Sequence, residues 1–264
     1  YNQSELWING KKANFNAYGY TSYRVDITPY LNAPGTPNII AVKVVNAGRN
    51  SRWYAGSGIF RHVWLIKTEK LYLDAWDTFV DASELQKKEA VVKLSTIVHN
   101  EGLQSQSGKI GIKIYSPAGE EVFTTSQDVE LTAETPAAIS FSIKKPQLWS
   151  VDTPVLYTAE ISLSSDGKEY DKITVPFGIR TISFSADKGF LLNGKPMKLK
   201  GGCIHHDNGL LGAAAIDRAE ERKVELLKAN GYNAVRCAHN QVSEHFLDAC
   251  DKHGILVIHE TFDQ

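Results

Sequence analysis

The first 70 residues show apolar and polar positions in short alternating runs, which is the pattern of β-strands with one buried face. These runs are rich in β-branched and aromatic side chains, as strands usually are, and they cover residues 5–8, 23–27, 39–45 and 62–66. Asn9-Gly10 directly follows the first run and is a strong signal for a tight hairpin. The strands are typical of a β-sandwich, but they are fewer than a complete sandwich needs.

A second set of alternating runs extends from about residue 71 to residue 181. Its clearest members cover residues 91–98, 109–115, 137–143 and 156–163. Turn residues separate these runs roughly every dozen residues, as they do in all-β domains. Short strands with regular turns over about a hundred residues predict an immunoglobulin-like sandwich.

After about residue 187 the chain alternates between strand-like and helix-like periods. Asp217, with Glu220 three residues later, has the spacing of a helix capping box, and Ser243 is placed to cap a second helix. The strands of this region are predicted over residues 198–204, 233–237 and 255–258. The order strand, helix, strand, helix, strand predicts the start of a parallel α/β unit.

The residues at both ends of the sequence indicate that the chain is a fragment of a longer protein. The only methionine is Met197, so Tyr1 is not expected to be a translation start, and the chain does not open on a signal segment. At the other end, Gln264 follows the third predicted strand closely and leaves an open sheet edge. The compartment is therefore left open, with a periplasmic or secreted location preferred to a cytoplasmic one.

Composition excludes several classes of partner. The 29 lysines and arginines balance 30 aspartates and glutamates, so the chain has no positive field for nucleic acid. No apolar run approaches the roughly 18 residues that a membrane helix requires. The cysteines, at positions 203, 237 and 250, lack metal-ligand spacing. We expect all three to be small buried apolar side chains rather than zinc ligands or disulfide partners.

Polar side chains follow each of the three predicted parallel strands. They are His205, His206 and Asp207 after the first strand, His239 and Asn240 after the second, and His259 and Glu260 after the third. A single histidine in such a place more often satisfies loop carbonyls. Because the loops after the strands form the active face of an α/β barrel, three such groups favour a functional site.

Arg236 is a further candidate, because it lies within the second strand between the small residues Ala234 and Ala238. A guanidinium inside a barrel needs a carboxylate partner to offset its desolvation. The alternative is an arginine that turns outward and covers a helix. The inward orientation is preferred, since Val235 and Cys237 suit the helix-facing side better.

Trp53 lies in a glycine-containing loop, residues 51–58. An aromatic face beside polar groups suits the apolar face of a sugar ring, but Trp53 can equally be a core residue at a domain junction. Both interpretations stay open.

Motifs along the whole chain resemble those of family 2 glycoside hydrolases, in the family's order. The matching segments are residues 52–61, 146–150, 154–157, 177–180, 190–196, 201–207, 233–240 and 256–260. The resemblance implies a multidomain, mainly β fold with three parts. These are the end of a jelly-roll sugar-binding domain over residues 1–68, an immunoglobulin-like sandwich over 69–182, and the first three strands and two helices of a (β/α)8 TIM barrel over 183–264.

The resemblance is strongest to bacterial β-galactosidases, while β-glucuronidases and β-mannosidases share most of these motifs. It implies a carbohydrate substrate and a binding site formed by His206, Asp207, Arg236, His239, Asn240, Glu260 and Trp53. In the family the histidines matching His206 and His239 contact the sugar, and the groups matching Asp207 and Arg236 shape its pocket. The family also implies that Arg236 pairs with the catalytic nucleophile.

The implied reaction is retaining glycoside hydrolysis, which needs two carboxyl groups about 5 Å apart. In the family both are glutamates beyond the position of Gln264, so we expect an active parent enzyme and an inactive isolated chain. No cofactor is expected, and no metal, because Gln264 stands where some galactosidases have a magnesium-binding glutamate. The oligomeric state of the parent stays open.

Two other functions remain as alternatives. One is a glycan-binding module without turnover. The other is a metal-dependent hydrolase that uses His205, His206, His239 and Glu260 as ligands, although adjacent residues of an extended segment point in opposite directions.

Overall fold

The structure is a computed structural model that describes residues 2–47, 56–86, 88–102 and 104–261. It divides into two compact units. Unit 1 comprises Tyr1–Trp64, Lys200–Cys250 and Ile255–Gln264, and unit 2 comprises Leu65–Leu199 and Asp251–Gly254. The three-domain division with boundaries at residues 68 and 182 stays a prediction.

Strands dominate the described residues. In chain order they are β1 (Ser4–Ile8), β2 (Lys11–Asn16), β3 (Ile40–Val44), β4 (Leu71–Leu73), β5 (Phe79–Gln86), β6 (Glu89–Asn100), β7 (Gln106–Tyr115), β8 (Glu121–Leu131), β9 (Glu134–Lys144), β10 (Tyr157–Ser165), β11 (Lys168–Phe177), β12 (Ile182–Ser185), β13 (Gly189–Leu192), β14 (Lys195–Pro196), β15 (Gly201–Ile204), β16 (Ala234–Cys237) and β17 (Leu256–His259). The α-helices are α1 (Asp217–Ala229) and α2 (Glu244–His253). Neither of these described helices is both long enough and apolar enough to cross a membrane.

Besides a small antiparallel sheet of the order β12-β13-β14, the described residues of unit 2 form a sandwich of two antiparallel sheets. One has the order β11-β10-β7-β8, and in the other β6 pairs with β9, β5 and β4. Alternate residues of β6 and β10 are buried, as the period of two requires. Their apolar side chains form one core with those of the other strands, including Leu94, Ile112, Ile114, Ile161 and Leu163. The predicted mainly β fold class is confirmed.

The described residues of unit 1 form two sheets. The antiparallel sheet has the order β2-β1-β3, and its hairpin turns at Asn9 and Gly10, both with positive φ as the sequence predicted. The predicted strands at 23–27 and 62–66 do not form. Both segments lie outside the strands of the described sheets, and Val63 and Trp64 are largely exposed. β-propensity does not make a strand without a neighbouring strand to pair with.

The second sheet of unit 1 is parallel, in the order β15-β16-β17, and it positions the candidate site. Side chains of α1 and α2 pack on one face of it, where Val224 and Phe246 are fully buried with Cys237 of β16. At Gly201 a Cβ atom would lie 1.8 Å from the carbonyl oxygen of Ala234, so the two strands approach as closely as they do only because that residue is glycine.

The two helix caps differ from each other. The Ser243 hydroxyl accepts a hydrogen bond from the Phe246 amide at 3.2 Å, which confirms the predicted cap of α2. The predicted capping box at Asp217 is wrong, because the cap position is Ile216 and has no side-chain hydrogen bond. The Asp217 carboxylate contacts two histidines instead.

One of the cysteine expectations is also wrong. Cys237 and Cys250 are buried, but Cys203 is exposed, because it lies on β15 at the edge of the described parallel sheet. All three are free thiols.

Candidate functional site

The candidate site lies at the carboxyl ends of the three parallel strands. The strand register places Cys203 beside Arg236, and Cys237 beside His259. The polar residues that follow these strands therefore meet at one edge of the sheet, as the sequence predicted. The peptide bond between Ala238 and His239, directly after β16, is cis.

Glu260 connects the second and third strand ends. Its Oε1 atom contacts Nη2 of Arg236, and its Oε2 atom lies 3.1 Å from Nδ1 of His239. Nη1 of Arg236 donates to the sulfur of Cys203 at 3.4 Å. These contacts, the Cys203 hydrogen bond first, raise the pKa of Arg236, so its cation is firmly held. The Arg236 side chain is 44% exposed, not buried as the inward orientation predicted, and its carboxylate partner within the described residues is Glu260.

Two histidines present ring nitrogens at this edge. Nδ1 of His239 faces the Glu260 carboxylate, and Nδ1 of His205 lies 2.6 Å from the carbonyl oxygen of Ala238. A carbonyl or carboxylate can only accept, so each neutral ring has its proton on Nδ1 and its lone pair on Nε2. The two rings are 5.9 Å apart. The site thus offers the His239 imidazole beside the Arg236 guanidinium.

His206 is in a different environment. It is 5% exposed, and its ring makes edge contact with Tyr20 at 4.9 Å and lies 5.6 Å from Phe60. Burial, and secondarily the charge of Arg61, lowers the pKa of His206 to about 4. The ring is therefore neutral at pH 7 and held by aromatic side chains. Its role as a sugar contact stays a prediction.

Arg61 and Tyr20 are site residues that sequence reasoning missed. The Arg61 guanidinium donates to the carbonyl oxygens of Tyr20 at 2.9 Å and Gln241 at 2.5 Å. Burial lowers the pKa of Arg61. Arg61 ends the 52–61 motif, which was the available signal, but nothing local in the sequence pairs it with residues 41 and 180 positions away.

A second polar group lies behind the first strand end. Asn208 donates to the buried carboxylate of Glu220 at 2.7 Å, and the Lys223 ammonium lies 3.8 Å from the other oxygen. Burial lowers the pKa of Lys223, and the charges of Glu220 and Asp207 oppose that shift. Asp207 is partly buried and contributes negative charge here, and Asn240 is 4% exposed. Trp53 lies outside the described residues.

The four proposed ligands of a metal-dependent hydrolase do not come together. His205 contacts a carbonyl oxygen, His206 is enclosed by aromatic rings, and His239 contacts Glu260. Within the part of the chain that the structure describes, they form no metal-ligand cluster. The metal-dependent alternative loses its geometric basis.

Comparison with known proteins identifies the family. The model described as glycosyl hydrolases family 2 matches residues 72–180, and that of the family's TIM barrel domain matches residues 185–263. The chain belongs to glycosyl hydrolase family 2. The resemblance seen in the sequence motifs is confirmed.

Relatives of this family 2 chain include both a β-galactosidase and a β-glucuronidase. It is 42% identical to beta-galactosidase BoGH2A of Bacteroides ovatus, over 100% of this chain and 31% of that protein. A crystal structure of a family 2 member from Bacteroides cellulosilyticus is 45% identical with a TM-score of 0.95, covering 100% of this chain and 34% of that one. The β-glucuronidase of Bacteroides uniformis is 30% identical with a TM-score of 0.88, and the match covers 98% of this chain and 33% of that one. This family 2 chain therefore spans about a third of the length of these relatives.

Proposed function

We propose that this chain is the substrate-binding part of a retaining β-glycosidase that acts on terminal β-galactosides. The observation that supports it most directly is the position of Glu260, which holds Arg236 and His239 together at the carboxyl ends of parallel strands. Substrates of α/β barrels bind at that end. Identity of 42% with a β-galactosidase adds support for the substrate class.

The charges of the site favour a neutral sugar over a glucuronic acid. The Arg236 cation is already paired with Glu260, and Asp207 adds a negative charge. His206 is neutral because of its lowered pKa. A glucuronide carboxylate would meet no unpaired cation among these residues, whereas a hydroxyl group would find the Nε2 atom of His239 as an acceptor.

Catalysis requires a pair of carboxyl groups, and we propose that the described residues of this chain do not supply that pair. In this proposal Glu260, which contacts Arg236 and His239, positions these two side chains and is not itself the nucleophile. Retaining hydrolysis needs an acid/base and a nucleophile about 5 Å apart. We place both catalytic glutamates outside these 264 residues and expect the isolated chain to be inactive.

The first experiment measures hydrolysis of nitrophenyl β-galactoside, β-glucuronide and β-mannoside by the isolated chain and by a complete protein that contains it. We expect no turnover by the chain and preferential galactoside hydrolysis by the complete protein. Turnover by the pure chain would show that the catalytic groups are misplaced. Preferential hydrolysis of the glucuronide would favour the second candidate activity, which the 30% identical β-glucuronidase supports. No turnover in either form would favour a glycan-binding module.

Arg236 is the residue to test for a role in the reaction. In the complete protein we propose that its guanidinium also faces the nucleophile and stabilises the charge of that carboxylate. Arg236→Ala should then lower kcat by about tenfold or more, about 1.4 kcal/mol or more of transition-state stabilisation, with a smaller effect on KM. Arg236→Lys should restore only part, because an ammonium cannot reproduce the planar fork.

Arg218→Ala is the matched control. Arg218 is also an exposed arginine of unit 1 with carboxylate partners, Glu221 and Glu225, but it lies on the surface of α1. Its kcat should stay within about twofold of wild type, as expected for surface ion pairs. If Arg236→Ala also stays within twofold, Arg236 has no role in the reaction.

A further inference from the structure

A second cluster of chemically active side chains lies in unit 1, apart from the residues that follow the parallel strands. It consists of His62, Asp217 and His245. Nε2 of His62 lies 2.5 Å from Oδ1 of Asp217, and Nε2 of His245 lies 3.1 Å from Oδ2. One carboxylate thus presents each oxygen to a different imidazole, and the two rings are 5.1 Å apart.

The three side chains come from separate segments of the chain. Asp217 is the first residue of α1, His245 is the second residue of α2, and His62 follows the glycine-containing loop far upstream. Asp217 has the sequence context of a helix cap, yet its carboxylate faces the histidines instead of the helix amides. The indole of Trp64 stacks on the His62 ring, with the ring centroids 4.7 Å apart.

We propose that His62, Asp217 and His245 form a binding site for a divalent transition-metal ion, zinc in the first place. This site is separate from the residues for which a metal was considered from sequence, and it differs from the expectation that the chain holds no metal. Two imidazoles with one carboxylate are ligands that zinc accepts readily. Calcium and magnesium instead need six or more oxygen ligands, which this cluster does not offer.

The spacing of the donor atoms suits a tetrahedral ion. Bonds of about 2.0–2.1 Å place tetrahedral ligands about 3.3 Å from one another. One ligand atom from each of the three residues lies within 4.8 Å of the others, so small movements of the side chains bring these atoms to the tetrahedral spacing. The side chains are 40%, 48% and 38% exposed, which leaves an entry path and room for water as the fourth ligand.

A bound ion would connect the N-terminal ends of both helices to the segment at residue 62. Because the ligands are distant in sequence, the unfolded chain does not hold them together, and the ion binds the folded state preferentially. Zinc should therefore stabilise unit 1 in proportion to its concentration. With three protein ligands from separate segments, the site is a cross-link of structural elements.

The test is calorimetric titration of the tag-free, chelator-treated 264-residue chain with zinc chloride. We expect one zinc ion per chain and a rise in Tm when zinc is present. His62→Gln and His245→Gln should each weaken zinc binding by at least about tenfold and abolish the rise in Tm. His99→Gln is the matched control, because His99 also contacts an aspartate, Asp74 at 3.0 Å, but this pair belongs to no three-ligand cluster of the described residues.

Zinc binding with unchanged affinity in His62→Gln and His245→Gln would overturn the assignment, as would absence of binding to the wild-type chain. Since both histidines are partly exposed, glutamine at either position should leave the fold intact, which circular dichroism checks. If one variant does not fold, quenching of Trp64 fluorescence by Cu²⁺ is the measurement that tests the site instead. Quenching of Trp64 fluorescence that Trp64→Phe removes supports the site, and quenching that does not involve Trp64 contradicts it.

Discussion

The buried ring of His206 makes the stability of this chain sensitive to pH in a defined direction. Its pKa is lowered from 6.5 to about 4, mainly because burial between Tyr20 and Phe60 disfavours the imidazolium form. In the unfolded chain the same ring takes up a proton near pH 6.5. Between these two pKa values the unfolded state binds more protons, so the free energy of unfolding falls as the pH falls.

The size of the effect follows from the two pKa values. His206 should reduce the free energy of unfolding by about 2 kcal/mol at pH 5 and by about 3 kcal/mol at pH 4, relative to pH 8. Below pH 4 its contribution should level off, because the folded state then also binds the proton. Above pH 6.5 it should be almost independent of pH.

Two measurements check this prediction. Histidine-selective NMR titration of the folded chain should leave the His206 ring neutral down to about pH 5, with a midpoint near 4. Urea unfolding at pH 8, 6, 5 and 4 should show a loss that His206→Gln lacks, and the difference between the two curves isolates His206 from the other histidines. A His206 midpoint between 6 and 7, or parallel curves for the two proteins, would refute the reasoning.

Two further predictions concern β15. Gly201→Ala should lower the free energy of unfolding by about 2–3 kcal/mol, because the new Cβ would lie 1.8 Å from the Ala234 carbonyl oxygen. Gly202→Ala is the control in urea unfolding, since the nearest atom to its Cβ is 3.8 Å away. Equal losses of stability in the two variants would contradict this packing. With a thiol reagent under native conditions, the exposed Cys203 should react rapidly and Cys237, whose pKa burial raises to about 12, should not react. Cys203→Ser should then remove the rapid reaction. A rapid reaction that persists in this variant would show that another thiol is accessible.

The sequence by itself determined the fold class and the family. Alternating apolar positions specify strands locally, the change of period marks the α/β region, and the Asn9-Gly10 turn and the Ser243 cap need only neighbouring residues. The sequence also indicated that polar groups follow three parallel strands. Each of these signals depends only on neighbouring residues, so it can be recognised without knowing how the rest of the chain folds.

The tertiary structure alone decided which of those groups touch. Glu260 joins Arg236 to His239, and Asp217 serves two histidines instead of capping its own helix. Residues 62–66 have the composition of a strand but lie outside the described sheets. Periodicity specifies which face of an element is apolar, but contacts between side chains 21 to 155 residues apart depend on how the elements pack. Strand formation likewise needs a neighbour, and only the folded chain provides one.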